Sequence, residues 1–208
     1  MSQTKYVIVL GVDYSGASDL AFEQALAIAS GQPHAELHVV YVKARVSARA
    51  RSVESATSNQ DAARDLQAYV AQRVSAFQAR SGKVPFERLF DHLRSDEPGH
   101  QIAQLAADVE ADLVVVGTHD RSGVPRLLLG SVAEAVTRLS PCPVLIVRPK
   151  AIPAAMPAIE PPCPRCVDVR FATQGAELWC EQHRERHGQR HTYHQGDRAS
   201  AETNFPLI

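Results

Sequence analysis

The sequence predicts an α/β fold built on an open, doubly wound sheet of five parallel strands. Short apolar runs rich in β-branched residues alternate with longer segments whose apolar residues recur at helical spacing. The runs are apolar at nearly every position, as strands covered on both faces must be. Five strands alternating with four helices imply right-handed crossovers and helices on both faces of the sheet.

Tyr6 to Val12 is the first run, and it ends at Asp13. Leu20, Ala21, Ala25, Ile28 and Ala29 then mark a helix, with Ser15 or Ser18 as its cap and Gly31 as its stop. Leu37 to Val42 is the second strand. Ala62, Leu66, Tyr69, Val70, Val74 and Phe77 make one face of a long amphipathic helix that ends at Gly82. Val84 to Leu93 alternates loosely and reads as the third strand, followed by a helix capped by the Ser95-Asp96 pair, with Pro98 in its first turn. Ile102, Leu105, Ala106 and Val109 form the inner face of that helix. Leu113 to Val116 is the fourth strand, Ser131 to Ser140 the fourth helix, and Val144 to Val147 the fifth strand.

The first domain is expected to span residues 1–149. Pro149, Pro153, Pro157, Pro161 and Pro162 then punctuate an alanine-rich stretch, so 150–162 reads as a semi-extended linker. A small module is expected over 163–194, and 195–208 reads as a flexible tail.

The stretch from Val114 to Val147 carries the most chemistry. A strand ends at Gly117, a polar loop follows, and Gly130-Ser131 opens a helix. Amides without acceptors in the first turn, together with the positive end of the helix dipole, make an anion site. Glycines flanking the loop would let its backbone approach a phosphate closely. The loop lacks the lysine of a G-x4-G-K-[ST] phosphate loop, so the usual NTPase arrangement is excluded. His119 is the loop's candidate base, but no nucleophile with a partnered base is discernible.

The segment resembles the signature of the universal stress protein family, G-x2-G-x9-G-[ST], through Gly117, Gly130 and Ser131. The amino-terminal VIVLGVDYSGAS and the LHVVYV segment extend the likeness over residues 1 to about 149. The resemblance implies a Rossmann-like, adenine nucleotide alpha hydrolase-like fold and binding of ATP or another adenine nucleotide. It implies Asp13 against the adenosine, Val42 near the adenine, and Gly117, Gly130, Ser131 and Val132 around ribose and phosphates. It also implies a homodimer, commonly through the last strand. Asp120 departs from the pattern by standing where its second glycine falls. A carboxylate there opposes a neighbouring phosphate by about 1 to 4 kcal/mol unless a divalent cation such as Mg bridges them. Gly123, Arg121 and Arg126 are the loop residues that offset it. The expected role is a stress-response regulator, non-catalytic or only slowly hydrolytic. The alternatives are a slow ATPase or phosphotransferase, and a nucleotide-free dimeric interaction scaffold.

Three of the four cysteines fall between residues 163 and 180, in the pattern C-x2-C-x13-C-x2-H formed by Cys163, Cys166, Cys180 and His183. That spacing suits a structural zinc site and resembles a zinc ribbon or treble clef in spacing only. His187 is the alternative fourth ligand, with His191 and His194 nearby. The intervening VDVRFATQGAELW reads as two short strands with a turn near Gly175. So few apolar residues leave much of the module's folding free energy to the metal.

Composition narrows the rest. A formal net charge of −1 gives no global drive toward nucleic acid or an anionic membrane. Residues 163–208 hold six Lys or Arg against six Asp or Glu, which disfavours a phosphate-backbone footprint and leaves a protein partner or a structural cap as the module's role. The opening lacks the basic region and cleavage site of a signal peptide, and no stretch approaches a membrane span, so the cytoplasm is the expected location.

Overall fold

The computed structural model describes residues 5–43, 54–118, 130–149 and 162–184, with backbone only for 54–58. Residues 150–161 of the expected 150–162 linker and the tail over 195–208 lie outside the described residues. The chain divides into two compact units, Met1–Lys150 and Ala151–Ile208.

The first unit runs β1 (Tyr6–Val12), α1 (Gly16–Ser30), β2 (Ala35–Lys43), α2 (Glu54–Ser81), β3 (Arg88–Ser95), α3 (Pro98–Asp108), β4 (Leu113–Gly117), α4 (Ser131–Leu139) and β5 (Val144–Val147). All five strands are parallel, in the order β3-β2-β1-β4-β5. Alternation along β1 divides the core. Ile8 and Leu10 face α1 and α2 and pack with Phe22, Leu26, Leu66 and Val70, whereas Val7 and Val9 join Ile102, Leu105 and Val136 of α3 and α4. Each of these fully buried large aliphatic side chains contributes about 1.5–3 kcal/mol by leaving water.

Local signals set the ends of the elements. Ser15, not Ser18, caps α1, its side chain accepting from the Ser18 amide, and Gly31 closes the helix. The expected Ser95-Asp96 cap of α3 does not form. Ser95 is the last residue of β3, paired with Lys43, and the Asp96 amide donates to the Lys43 carbonyl at 3.2 Å. Asp96 turns at φ 129, so the helix starts after Glu97, with Pro98 in its first turn and no side-chain cap.

At the outer strand β3, two histidines clasp the sheet. His38 Nδ1 and His92 Nε2 lie 3.0 Å apart across the pairing, and their rings stack at 5.2 Å. Burial, then the neighbouring His92, pushes the His38 imidazole down from 6.5 to about 4. His92 is lowered too, by burial and Arg94. Burial raises the Glu36 carboxyl, but Lys5 and Arg88 reverse that and hold it below its ordinary value. An unfolded chain takes up the His38 proton near pH 6.5, whereas the folded one resists until about pH 4. The stability is therefore full above about pH 6.5 and lost as the pH falls toward 4. Urea denaturation at pH 7.5 and pH 5 is expected to differ by about 2 kcal/mol from His38 alone. The difference should shrink in His38→Phe, and an unchanged difference would show that the clasp is not what titrates.

Candidate nucleotide site and candidate metal centre

The winding of the sheet reverses between β1 and β4. In open α/β sheets the crevice outside the carboxyl ends of the strands at such a point is where ligands gather. The register brings those ends level, with Gly11 opposite Val40 on one side and Val116 on the other. Asp13 directly follows β1, Val42 is the penultimate residue of β2, and Gly117 ends β4. The Thr118 amide donates to the Val147 carbonyl at 2.9 Å. Thr118 Oγ1 lies 4.0 Å from where a Cβ on Gly130 would stand, so the two ends of the 119–129 loop meet beside the sheet edge. The loop itself, with His119, Asp120, Arg121, Gly123 and Arg126, lies outside the described residues.

The two motif glycines do different things. A Cβ on Gly117 would lie 2.6 Å from the carbonyl carbon and oxygen of Ala17 and 2.9 Å from the Ser18 nitrogen. Glycine is needed there because the first turn of α1 packs against the end of β4. Among the described residues only Thr118 Oγ1 comes within 4.0 Å of a Cβ placed on Gly130. Its φ of −52 and ψ of 145 are ordinary for any residue. Gly130 caps α4 with no side chain, and its carbonyl takes the Glu134 amide at 2.9 Å. Helix geometry leaves the amides of Ser131, Val132 and Ala133 without intrahelical acceptors. Ser131 is exposed, Val132 is half-buried against the second core cluster, and Ala133 is buried. At Gly99 a Cβ would meet Ala135 Cβ at 2.4 Å, so close packing of α3 on α4 fixes where that helix start points.

Asp13 is exposed and organises its own turn. Its Oδ1 accepts from the Ser15 hydroxyl at 2.6 Å and the Ser15 amide at 3.2 Å, while its amide donates to Ser18 Oγ. The Val42 side chain is buried in the second core cluster.

Sequence reasoning missed an aromatic group beside this edge. Tyr14, next to Asp13, adopts a left-handed φ of 62, a conformation that costs a non-glycine residue about 1 kcal/mol or more. Its ring packs on Tyr41 at 4.7 Å and edge-on to Tyr69 at 5.0 Å. Burial pushes the Tyr69 hydroxyl up to about 12, so it stays protonated and donates to Asp19 Oδ1 at 2.8 Å. A cavity of 380 Å³ opens here, lined by Tyr14, Tyr41, Lys43, Asp61, Ala62 and Asp65. The three tyrosines sit apart in the sequence, in the turn after β1, in β2 and in α2, so only the folded arrangement reveals them as neighbours.

In the second unit the expected pair of strands is replaced by a helix, α5 (Pro164–Ala172), a turn through Gln174 and Gly175 at φ 52 and 89, and α6 (Glu181–Arg184). Cys163 stands at the N-cap and Pro164 in the first turn, where its missing N–H costs nothing, so the chain enters a helix despite Val167 and Val169. Cys166 thereby comes to face Cys180 and His183. His183 Nδ1 lies 3.3 Å from Cys166 Sγ and 3.5 Å from Cys180 Sγ, and the Cys180 amide donates to Cys166 Sγ at 3.3 Å. The ligand atoms of Cys163, Cys166, Cys180 and His183 all lie within 4.8 Å of one another. Hydrogen bonds from the amides of Cys166 and Arg165 draw the Cys163 thiol below its ordinary value. His187, His191 and His194 lie outside the described residues.

The fold and its edge define a parallel α/β protein with a helix N-terminus set at the winding reversal. The universal stress protein family model matches residues 6–148, and the chain belongs to that family. A universal stress protein of Mycobacterium bovis is 32% identical over 142 residues, covering 68% of this chain and 45% of the relative. The chain spans less than half the length of the curated relatives it matches. Among solved structures, the universal stress protein UspA from Lactobacillus plantarum is 26% identical with a TM-score of 0.56, covering 69% of this chain and 97% of its own. A universal stress protein in complex with cAMP is 26% identical with a TM-score of 0.51, covering 69% and 97%. No helix among the described residues is long and apolar enough to cross a membrane.

The glycines separate in a mutational test. Gly117→Ala is expected to destabilise the first unit by about 1–3 kcal/mol, because backbone cannot yield to the added methyl as a flexible side chain would. Gly130→Ala should leave thermal stability within about 0.5 kcal/mol of the parent. Equal losses in the two variants, read by thermal denaturation, would refute this division of roles.

Proposed function

We propose that the first unit binds an adenine nucleotide at the carboxyl edge of β1, β2 and β4, and that the chain serves stress response as a nucleotide-dependent regulator and not chiefly as a catalyst. The observation that carries this reading is the start of α4 at Gly130-Ser131, without a side-chain cap among the described residues and following the strand β4 that pairs with β1. The Ser131 and Val132 amides would take a phosphate and the Ser131 hydroxyl would donate a further hydrogen bond. Asp13 would accept from ribose hydroxyls, and the backbone at Val42 would bracket the base. The complex of a family relative with cAMP supports the choice of an adenine nucleotide. Strand β5, an edge strand whose four residues are all half-buried in one chain, is the surface we assign to a homodimer.

We further propose that Cys163, Cys166, Cys180 and His183 hold zinc. Tetrahedral zinc with ligands at about 2.0–2.3 Å places its donor atoms about 3.3–3.8 Å apart, and the sulfur-to-nitrogen separations of 3.3 and 3.5 Å fit. Among the described residues of this unit only Cys166 and Cys180 are buried. The donors are thus the core, and the metal would supply the folding free energy that apolar burial does not. The module's assigned role is a metal-stabilised surface for a protein partner.

Titration of the purified chain with ATP, AMP and cAMP in a calorimeter, with and without Mg, tests the first reading. Saturable binding to one site per chain is expected, weakened about tenfold by Ser131→Ala through loss of one charge-assisted hydrogen bond. Absence of binding to all three nucleotides would leave the interaction scaffold as the surviving account, and steady release of ADP would favour the slow hydrolase. For the metal, a chelator or Cys166→Ser should open residues 163–184 to protease while 6–148 stays protected. Unchanged protection of the module after complete metal removal would argue against a metal core.

A further inference from the structure

We infer that the Cys3His centre is an oxidant-operated switch in which Cys163 and Cys166 form a disulfide and expel the metal; this rests on the zinc reading above. The four donors are not equally accessible. Cys166 and Cys180 are 2% and 4% exposed, whereas Cys163 is only partly buried, at the open start of α5. An oxidant from solvent therefore meets Cys163 first. Cys166 lies three residues farther on, in the first turn of α5, and its Sγ and that of Cys163 lie within the 4.8 Å that bounds the cluster. A C-x2-C pair across the start of a helix is the spacing at which one thiol attacks and the other resolves. Cys180 reaches the cluster from the residue just before α6, and its amide donates to Cys166 Sγ at 3.3 Å.

The reaction with hydrogen peroxide balances with two protons from water and no further oxidant or reductant. The Cys163 thiolate attacks one peroxide oxygen, the O–O bond breaks, and hydroxide leaves, giving a sulfenic acid. The Cys166 thiolate then attacks that sulfur, the S–O bond breaks, and a second hydroxide leaves. Two protons from water's acid pool convert the hydroxides to water, and two electrons have passed from the sulfur pair to the peroxide. Zinc, left with Cys180 and His183 alone, dissociates. Since Cys166 is one of only two buried side chains described in the module, forming the disulfide also undoes the contact between α5 and α6.

The test uses the full-length chain and hydrogen peroxide. Total zinc is first measured after denaturation with a chromogenic chelator, and one zinc per chain is expected. Peroxide should then release that zinc from the folded protein, and dithiothreitol with added zinc should restore it. Trypsin cuts after Arg165, so a Cys163–Cys166 disulfide links the peptide 151–165 to the peptide 166–170, a mass distinct from any linkage to the 171–184 peptide bearing Cys180. Cys142→Ser, outside the module, should release zinc as the parent does. Less than one zinc before oxidation overturns the metal reading and the switch with it. A fully loaded protein that keeps its zinc, or releases it with sulfinic acids or a Cys180 linkage in place of the 163–166 bond, overturns the switch and leaves the metal site standing.

Discussion

The approach of β4 to α1 at Gly117 is the constraint on which the geometry of the sheet edge depends. Peptide atoms of Ala17 and Ser18 occupy the space a side chain would need. Helix α1 can therefore start only where Ser15 caps it and where Ser18, buried at 2% exposure, receives the Asp13 amide. The same contact fixes the direction in which the chain leaves β4 at Thr118, beside Gly130. Both ends of the intervening loop are set by packing and hydrogen bonds that need no ligand. A phosphate arriving at α4 would meet amides already aimed, without the ordering cost that a free segment imposes.

The core of the first unit was legible because its strands are covered on both faces. β1, β4 and β5 read as continuous apolar runs, and β5 has the bounds that its sequence predicts. β3 was harder: as an outer strand it carries Arg88, Asp91, His92 and Arg94, and its start moved from Val84 to Arg88. The motif glycines were visible, but not their reasons, since sequence spacing does not distinguish a glycine pressed by backbone from one facing open space. The tyrosine group at 14, 41 and 69 was hidden because its contacts cross three elements. The clustering of Cys163, Cys166, Cys180 and His183 was legible from spacing alone, whereas the helix that carries Cys166 was not. Val167, Val169 and Phe171 carry a β-like pattern, and what overrides it is the entry through Cys163 and Pro164 together with the convergence of distant donors.

The two units differ in what a bound group can change. The first has two apolar clusters that stand without any ligand, so nucleotide there would bias the edge around Asp13, Gly117 and Ser131 and add RT ln(1 + [L]/Kd) to a fold that already exists. In the second, the side chains buried among the described residues are two of the four proposed metal donors, Cys166 and Cys180. Loss of a metal held there would be loss of that core, and the response would be folding or unfolding instead of a shift between folded states. A chain carrying both would answer a change in adenine nucleotide by degree and a change in metal or oxidant by all or none. Such a division needs no contact between the units, because each response is set by how its own residues are buried.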